Sequence, residues 1–560
     1  MAEEINVLIQ KAYKNFQDKK EDAAIDILKK ILLINPLNFD ANHMLGVILG
    51  IQGQPKLAKT FLKKSVEIDP KNYFASYNYA KSLVDSGEYI EGIFYSENAI
   101  KIDPKNKEAW INYGVNLKKL KFYSKSIECY EKALTIDPDY LEALVNKSDI
   151  LIIEKKFNEA LIVLDRALLI DFSKKDIELV ATTWINRGVA FLGLGKSEDA
   201  LVSFNKAIDI NSNDPEAWFN KGVTLQNLKR YDEAEHHYDQ AIKLKPDYTE
   251  AYFNKATKKL ILGDFKNGWN LYQYRWKNKD FEEYRYPQFK KLESVNNLEN
   301  KKILIWHEQG MGDSIQFSRY IPKLINLGAI ITFVIQKDLV PFFRTQFKCE
   351  ITDKVSINEN FDYETPLLNL PYVFKTSIAT IPANQAYLKV KTEEIIDWKK
   401  KIKLLKNKLN IGIAISGNPN HKDNHIRSIP LENMESLFQQ ANFFIIQKEL
   451  SVMDMVILKK YPEIKFMGEE IVNFSDTAAI VENMDLIISI DTSLIHLAGA
   501  LGKRAFLMLS WSSEWRWLLE RNETPWYKSI KIFRQKSAGD WYSVINEIEF
   551  ELKKSKSRYV

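Results

Sequence analysis

Residues 102–138 read IDPKNKEAWINYGVNLKKLKFYSKSIECYEKALTIDP, and this stretch decides the architecture of the first half of the chain. It opens and closes on the same tripeptide, with Asp103 and Asp137 separated by 34 residues. Moving outward, the segments INP, IDP, IDP, IDP and IDF place Asn35, Asp69, Asp103, Asp137 and Asp171 at steps of 34. The next equivalent, Asn211, comes after 40 residues and Lys245 after 34 more, so one insertion of six residues near 172–177 explains the single irregular step. Pro36, Pro70, Pro104, Pro138 and Pro246 stand where a proline ends one helix pair and permits the next. Small residues recur in the first helix of each unit at Gly46, Ala80, Gly114, Ser148, Gly188, Gly222 and Ala256. They recur in the second helix at Ser65, Ala99, Ala133, Ala167, Ala207 and Ala241, as close helix packing requires.

Thirty-four residues is the tetratricopeptide period, with two antiparallel helices per unit. No unit can bury its own apolar face, so stacking supplies the core. Seven units over about 5–246 are expected, with a helix over about 247–263 capping an array assigned to 1–276. One column points to function. Asn78, Asn112, Asn146, Asn186, Asn220 and Asn254 lie two residues before the small column. In this repeat family the first helices line the concave face, which makes these side chains a ladder in a groove. A carboxamide both donates and accepts, so such a row can grip an extended polypeptide without reading its sequence. The array resembles that of O-GlcNAc transferase, whose ladder holds protein substrates. The alternative is that asparagine at this position only helps to order the helix turn.

A length of 560 residues exceeds one hydrophobic core, and 45% hydrophobic with 27% charged residues is an ordinary globular composition. The charge of +5, from 79 basic and 74 acidic residues, is too small and dispersed to argue for nucleic acid. Cys129 and Cys349 are isolated, which excludes a disulfide framework and favours a reducing compartment. The charged N-terminus and the lack of a long apolar run give neither signal peptide nor membrane span, and the expected location is cytoplasmic.

After Trp276 the pattern changes. Residues 277–300 are polar and aperiodic, and read as a linker or wrap-around loop. Apolar strands then alternate with helices: KKILIWH, SIQFSRYIPKLINLG and AIITFVIQ, then a second series from KLNIGIAISG to KRAFLMLS. This order predicts two Rossmann-like lobes, assigned to 301–390 and 391–560, with ligands beyond the C-terminal strand ends. In the loop GMGDSIQF, Gly310 and Gly312 free the backbone to approach a ligand, and Asp313 stands at a helix start as a base or merely as its cap. A second strand leads into Asp491, Thr492 and Ser493 with His496 one turn on, a helix start suited to a diphosphate. The donor-rich loop SGNPNHKDNHIRSIP adds Asn418, Arg427 and Ser428, the last two as a phosphate clamp. His421 and His425 lie in that loop, but no ligand cluster surrounds them and no metal is expected.

Four segments in order, GMGDSIQFSRYIP, GNPNHKDNHIRSIPL, ISIDTSLIHLAGALGK and SWSSEWRWLLERNETPWYKSIKIFRQ, resemble the catalytic domain of tetratricopeptide-linked bacterial glycosyltransferases, itself similar to the heptosyltransferases. The resemblance covers roughly 300–540. It implies a tetratricopeptide α-solenoid followed by an α/β domain of GT-B fold, metal-independent and inverting, with no permanent cofactor and a nucleotide-sugar donor. Asp313 becomes the base, with His307 and Glu308 as alternatives. Arg427 becomes a phosphate ligand, where heptosyltransferases commonly use lysine. Asp491, Thr492, Ser493 and His496 match the diphosphate turn, and Gln447 and Lys448 line the base or ribose pocket. The catalytic motifs of O-GlcNAc transferase are not clearly present, so its sugar does not carry over. The expected reaction is transfer to Ser or Thr of a protein acceptor held by the array, and the resemblance suggests flagellin. The alternatives are a saccharide or lipid-linked acceptor, and a non-catalytic scaffold.

Overall fold

The computed structural model describes residues 2–172, 176–278, 281–356, 359–383, 386–402, 404, 408–419 and 424–556. Its contacts divide the chain into two units, Met1–Lys245 and Pro246–Val560.

The first unit is fourteen α-helices in seven antiparallel pairs, from Ala2–Gln17 to Tyr231–Leu244. The recurring Asn and Asp residues at 35, 69, 103, 137 and 211 are C-caps, and the chain is turned back into the next helix three residues later. There Asn38, Asn72 and Asn106 each accept a hydrogen bond from the backbone N–H three residues on, at 2.9, 3.2 and 3.0 Å. The small column has a direct steric reason. A Cα hydrogen replaced by any side chain at Gly46, Gly188 or Gly222 has no room, because a Cβ there would meet Leu62 at 2.5 Å, Phe204 at 2.5 Å or Tyr238 at 2.7 Å. Each glycine thus seats the large side chain sixteen residues later on the paired helix. The insertion falls where expected and lengthens one first helix to Ile177–Gly193, 17 residues against 13 in its neighbours; residues 173–175 lie outside the described residues.

The second unit opens on one more helix pair, Thr249–Ile261 and Phe265–Tyr272, where the sequence suggested a single capping helix. Two sheets follow. The first contains β1 (Lys302–Trp306), β2 (Ile330–Val334), β3 (Glu350–Thr352) and β4 (Tyr363–Pro366), all parallel in the order β3-β2-β1-β4. The second contains β5 (Asn410–Ala414), β6 (Asn442–Ile445), β7 (Lys465–Phe466), β8 (Leu486–Ile490), β9 (Ala505–Leu509), β10 (Glu523–Thr524) and β11 (Tyr527–Arg534). Its order is β10-β11-β9-β8-β5-β6-β7, with only the β10–β11 pair antiparallel. Strands β5, β8 and β9 are buried at every position, as parallel strands covered on both faces must be.

The segment read as a linker is packed. Trp276, Tyr284, Tyr286 and Phe289 cover Leu304, Trp306 and Val334. Lys291 bridges to Glu364 as a short parallel extension of the sheet. The buried Glu364 carboxyl accepts from Tyr284 Oη at 2.6 Å and Trp306 Nε1 at 2.7 Å. The irregular aromatic spacing carries no period, which is why the sequence reads as loop while the segment forms part of the core.

Candidate functional site

In each sheet the strand order reverses direction at one place: between β1 and β4 in the first, between β5 and β8 in the second. In open α/β sheets such reversals are where strand ends are left uncovered by crossover helices and ligands bind. The loops carrying HEQGMGD, SGNPN and DTS follow β1, β5 and β8, three of these four strands.

The 310–313 and 491–496 turns meet. A Cβ added to Gly312 would stand 2.9 Å from His496 Cδ2 and 3.5 Å from Ser493 Cα. The bare backbone of Gly312 thus admits the neighbouring helix, Ser493–Ala500. Asp313 is both cap and ion-pair partner. Its Oδ2 accepts from Gly310 N at 3.0 Å, and its Oδ1 receives the Arg516 guanidinium. Burial pushes its carboxyl above the usual carboxylate range, and Arg516 opposes that rise.

Asp491 Oδ2 accepts from Trp517 Nε1 at 2.8 Å, and its backbone carbonyl accepts from Arg427 Nη1 at 3.3 Å. Burial, with Glu514 nearby, pushes its carboxyl up to about 7. His496 was expected to face the ligand. It is instead enclosed, its ring stacked on Trp517 with centroids 5.3 Å apart and Nδ1 3.0 Å from Tyr527 Oη. Burial and the nearby Arg516 and Arg319 hold it well below its ordinary pKa, so it is a neutral ring beneath the turn, with Nε2 3.7 Å from Asp491 Oδ1. Thr492 Oγ1 lies 3.2 Å from Ser489 Oγ, and Ser493 begins the helix.

The remaining expected residues divide. Ser428 Oγ donates to Asn424 Oδ1 at 3.1 Å, which ties the loop internally, while Asn418 is exposed. His421 lies outside the described residues. Gln447 is spent on its own lobe: Oε1 accepts from Ile415 N at 2.8 Å, and Nε2 donates to Ser416 Oγ and Glu449 O at 2.7 Å each. It braces the loop after β5. Lys448 is exposed, with Nζ 3.4 Å from Val472 O.

Both alternative bases are placed elsewhere. Glu308 is fully buried, held by Arg275 through two hydrogen bonds of 2.8 and 2.7 Å and by Leu368 N at 3.1 Å. A carboxylate so enclosed serves as a structural anchor. His307 Nε2 lies 3.0 Å from Arg285 Nη1, and burial with that cation pushes it down to about 4.

Sequence reasoning missed Arg516, the centre of the cluster. Its Nε donates to Gln316 Oε1 at 3.1 Å, and its Nη atoms pair with Asp313 and Glu514. It sits in WRW, within a tail quoted for its resemblance alone; a lone arginine between two tryptophans was the available signal. Arg319 is missed likewise. It donates to Trp526 O at 2.6 Å and Tyr387 Oη at 3.2 Å, joining the two lobes.

In the array the ladder exists as a column of half-buried side chains, partly engaged between units. Asn78 Nδ2 lies 2.9 Å from His43 Nε2, Asn112 faces Tyr77, and Asn186 Nδ2 donates to Ser148 Oγ at 3.2 Å. Asn220 faces Glu216 on its own helix. Asn146 and Asn254 donate to the carbonyls of Glu142 and Glu250 at 2.9 Å, each using one of its two amide hydrogens.

Tetratricopeptide repeat models match residues 39–72, 107–140, 181–214 and 215–248, four of the helix pairs described above. The chain thus carries tetratricopeptide repeats, which in general bind protein partners. Protein FlbA of Caulobacter vibrioides (strain ATCC 19089 / CIP 103742 / CB 15) is 24% identical over 337 residues. The match covers 53% of this chain and 54% of FlbA, so the chain spans about half the length of that relative. A tetratricopeptide repeat protein from Parabacteroides merdae ATCC 43184 is 18% identical with a TM-score of 0.38, covering 48% of this chain and 98% of its own. Pseudomonas aeruginosa pilF is 20% identical with a TM-score of 0.33, covering 39% and 96%. Among the described residues no helix is long and apolar enough to cross a membrane.

Proposed function

We propose that the chain is a glycosyltransferase of GT-B type, moving a sugar from a nucleotide-sugar to Ser or Thr hydroxyls of a protein held by the array. The observation that carries this reading is the convergence of Asp313, Arg516, Asp491 and Arg427 at the ends of the switch-point strands. The acceptor oxygen attacks the anomeric carbon, its proton passes to Asp313, and the bond to the diphosphate breaks with the electron pair leaving on the nucleoside diphosphate. Arg516 and Arg427 neutralise that charge as it develops. A carboxylate has about four acceptor positions, so the contacts to Gly310 N and Arg516 leave Asp313 capacity for a proton. The protein acceptor follows from the ladder, and flagellin from the resemblance.

A second reading, a scaffold whose crevice no longer transfers sugar, is favoured by the engagement of both Asp313 oxygens. Incubation with nucleotide-sugars and flagellin, followed by intact-mass measurement of the acceptor, separates the two. Wild-type protein is expected to add sugar mass. Asp313→Asn is expected to lose transfer by about 10²- to 10⁴-fold while still binding nucleotide, the usual contribution of a positioned base. Nucleotide binding without mass addition to any protein, glycan or lipid-linked acceptor supports the scaffold.

A further inference from the structure

Arg516 has two carboxylate partners that differ in freedom. Asp313 is the inner one, its side chain 15% exposed and pinned by Gly310 N. Glu514 is the outer one, 49% exposed, in the exposed or half-buried run 511–514 that follows β9. The cation between them cannot follow a moving partner. Its side chain is 5% exposed, its Nε is held by Gln316, and its guanidinium lies 4.5 Å over the Trp515 ring. The two flanking tryptophans fix the backbone. Trp515 packs edge-on against Trp269 at 5.2 Å, and Trp517 is bonded to Asp491 and stacked on His496. Arg516 is therefore a stationary positive charge beside the 491–496 turn, with one fixed anion and one movable anion.

Charge makes this arrangement awkward for a donor. Among the described residues Asp313, Asp491 and Glu514 act on Arg516, Arg427 is a second cation that acts on Asp491, and Arg319 acts on His496. His496 is neutral. A diphosphate reaching Arg516 would meet the Glu514 carboxylate already paired with it, and two anions on one guanidinium nitrogen repel. Glu514 alone is on a segment that can withdraw into solvent, where its own solvation offsets the lost ion pair.

We infer that Glu514 is a built-in placeholder for the donor's diphosphate, occupying Arg516 in the empty protein and yielding it when the nucleotide-sugar binds. This rests on the glycosyltransferase reading and deepens it. The exchange leaves Arg516 bridging Asp313 and the diphosphate, so donor entry and alignment of the base become one event. It also gives an order: donor first, acceptor second.

The placeholder costs affinity, and removing it should restore that affinity. Titration calorimetry of the full chain with UDP, GDP, ADP, CDP and dTDP is the measurement, on wild type, Glu514→Gln, Glu520→Gln and Arg516→Gln. The nucleotide that binds wild type is expected to bind Glu514→Gln about three- to tenfold more tightly, the range for releasing a half-exposed ion pair. Glu520→Gln, a neighbouring exposed carboxylate, should be unchanged, and Arg516→Gln should bind more weakly. Equal or weaker binding by Glu514→Gln overturns the placeholder while the donor site stands. Equal tightening by Glu520→Gln overturns it too, reducing the effect to net charge. If no nucleotide binds wild type or Glu514→Gln, the donor reading itself falls.

Discussion

Two arginine–carboxylate pairs lie five residues apart along the loop after β1, and they have opposite characters. Arg275 and Glu308 are both fully buried, and beyond their two mutual hydrogen bonds Arg275 Nη1 donates to Tyr272 O at 3.0 Å and Nη2 to Asn369 Oδ1 at 2.6 Å, while Glu308 accepts from Leu368 N. Arg516 is also buried, but Asp313 is 15% exposed and the third partner, Glu514, is a half-exposed carboxylate on an exposed run. Such a fully enclosed pair holds structure, here the segment just after the helix pair that opens the second unit against the first sheet. A pair whose third partner is a half-exposed carboxylate can exchange that partner. The difference separates anchor from site more sharply than residue type does, since both carboxylates of HEQGMGD were candidate bases, Asp313 first and Glu308 as an alternative.

The largest expected effect breaks the fully enclosed pair. Glu308→Ala leaves the Arg275 guanidinium buried without its counter-charge, and stability should fall by about 3–5 kcal/mol. Urea unfolding followed by tryptophan fluorescence reads this directly, because nine of the twelve tryptophans lie beyond residue 245. A loss below about 1 kcal/mol would mean the pair is not the anchor described. Nucleotide affinity of the folded fraction should not change.

Smaller, but aimed at the site, is Gly312→Ala. The new Cβ would press on His496 Cδ2 at 2.9 Å, and His496 is fixed between Trp517 and Tyr527, so the helices must part. A cost of about 1–3 kcal/mol is expected, typical of overpacking. The telling result is weaker nucleotide binding in the protein that still folds, since the shift moves Asp313 away from Arg516. Retained affinity would show that the two turns act independently.

The array and the crevice were unequally legible in the sequence for the same reason that separates the two pairs. The period that placed Asp103 and Asp137 also placed Gly222 against Tyr238, because a solenoid repeats its contacts locally. Strands β1, β5 and β8 and the meeting of the 310–313 and 491–496 turns could be anticipated, since strand ends in α/β sheets define where ligands go. Arg516 could not. It comes from a segment some 200 residues beyond Asp313, and only the three-dimensional return of that tail shows that it pairs with Asp313 and not with Asp491. Nor could the sequence separate Glu308 from Asp313, because the enclosure of Glu308 depends on Arg275 and Asn369, both remote from the motif.

The smallest expected effect is a pH dependence at Asp491, and it sharpens the description of the Arg516–Asp313 pair. Its carboxyl is pushed up to about 7 by burial and by Glu514, with Trp517, Arg516 and Arg427 acting in the opposite sense and neutral His496 beside it. Below that pH the group is protonated and uncharged; above it a further negative charge appears next to Arg516 and Arg427. A nucleotide-sugar suits the measurement, because its diphosphate diester keeps its charge between pH 6 and 8. Affinity should therefore fall as pH rises through this window, by roughly fivefold, the equivalent of about 1 kcal/mol for charges partly compensated by the two arginines. Asp491→Asn removes the titrating group and should bind with the same affinity at both ends of the window. If wild type and Asp491→Asn show the same pH slope, the charge that matters lies elsewhere, and Asp313, whose carboxyl is also raised, becomes the group to titrate next.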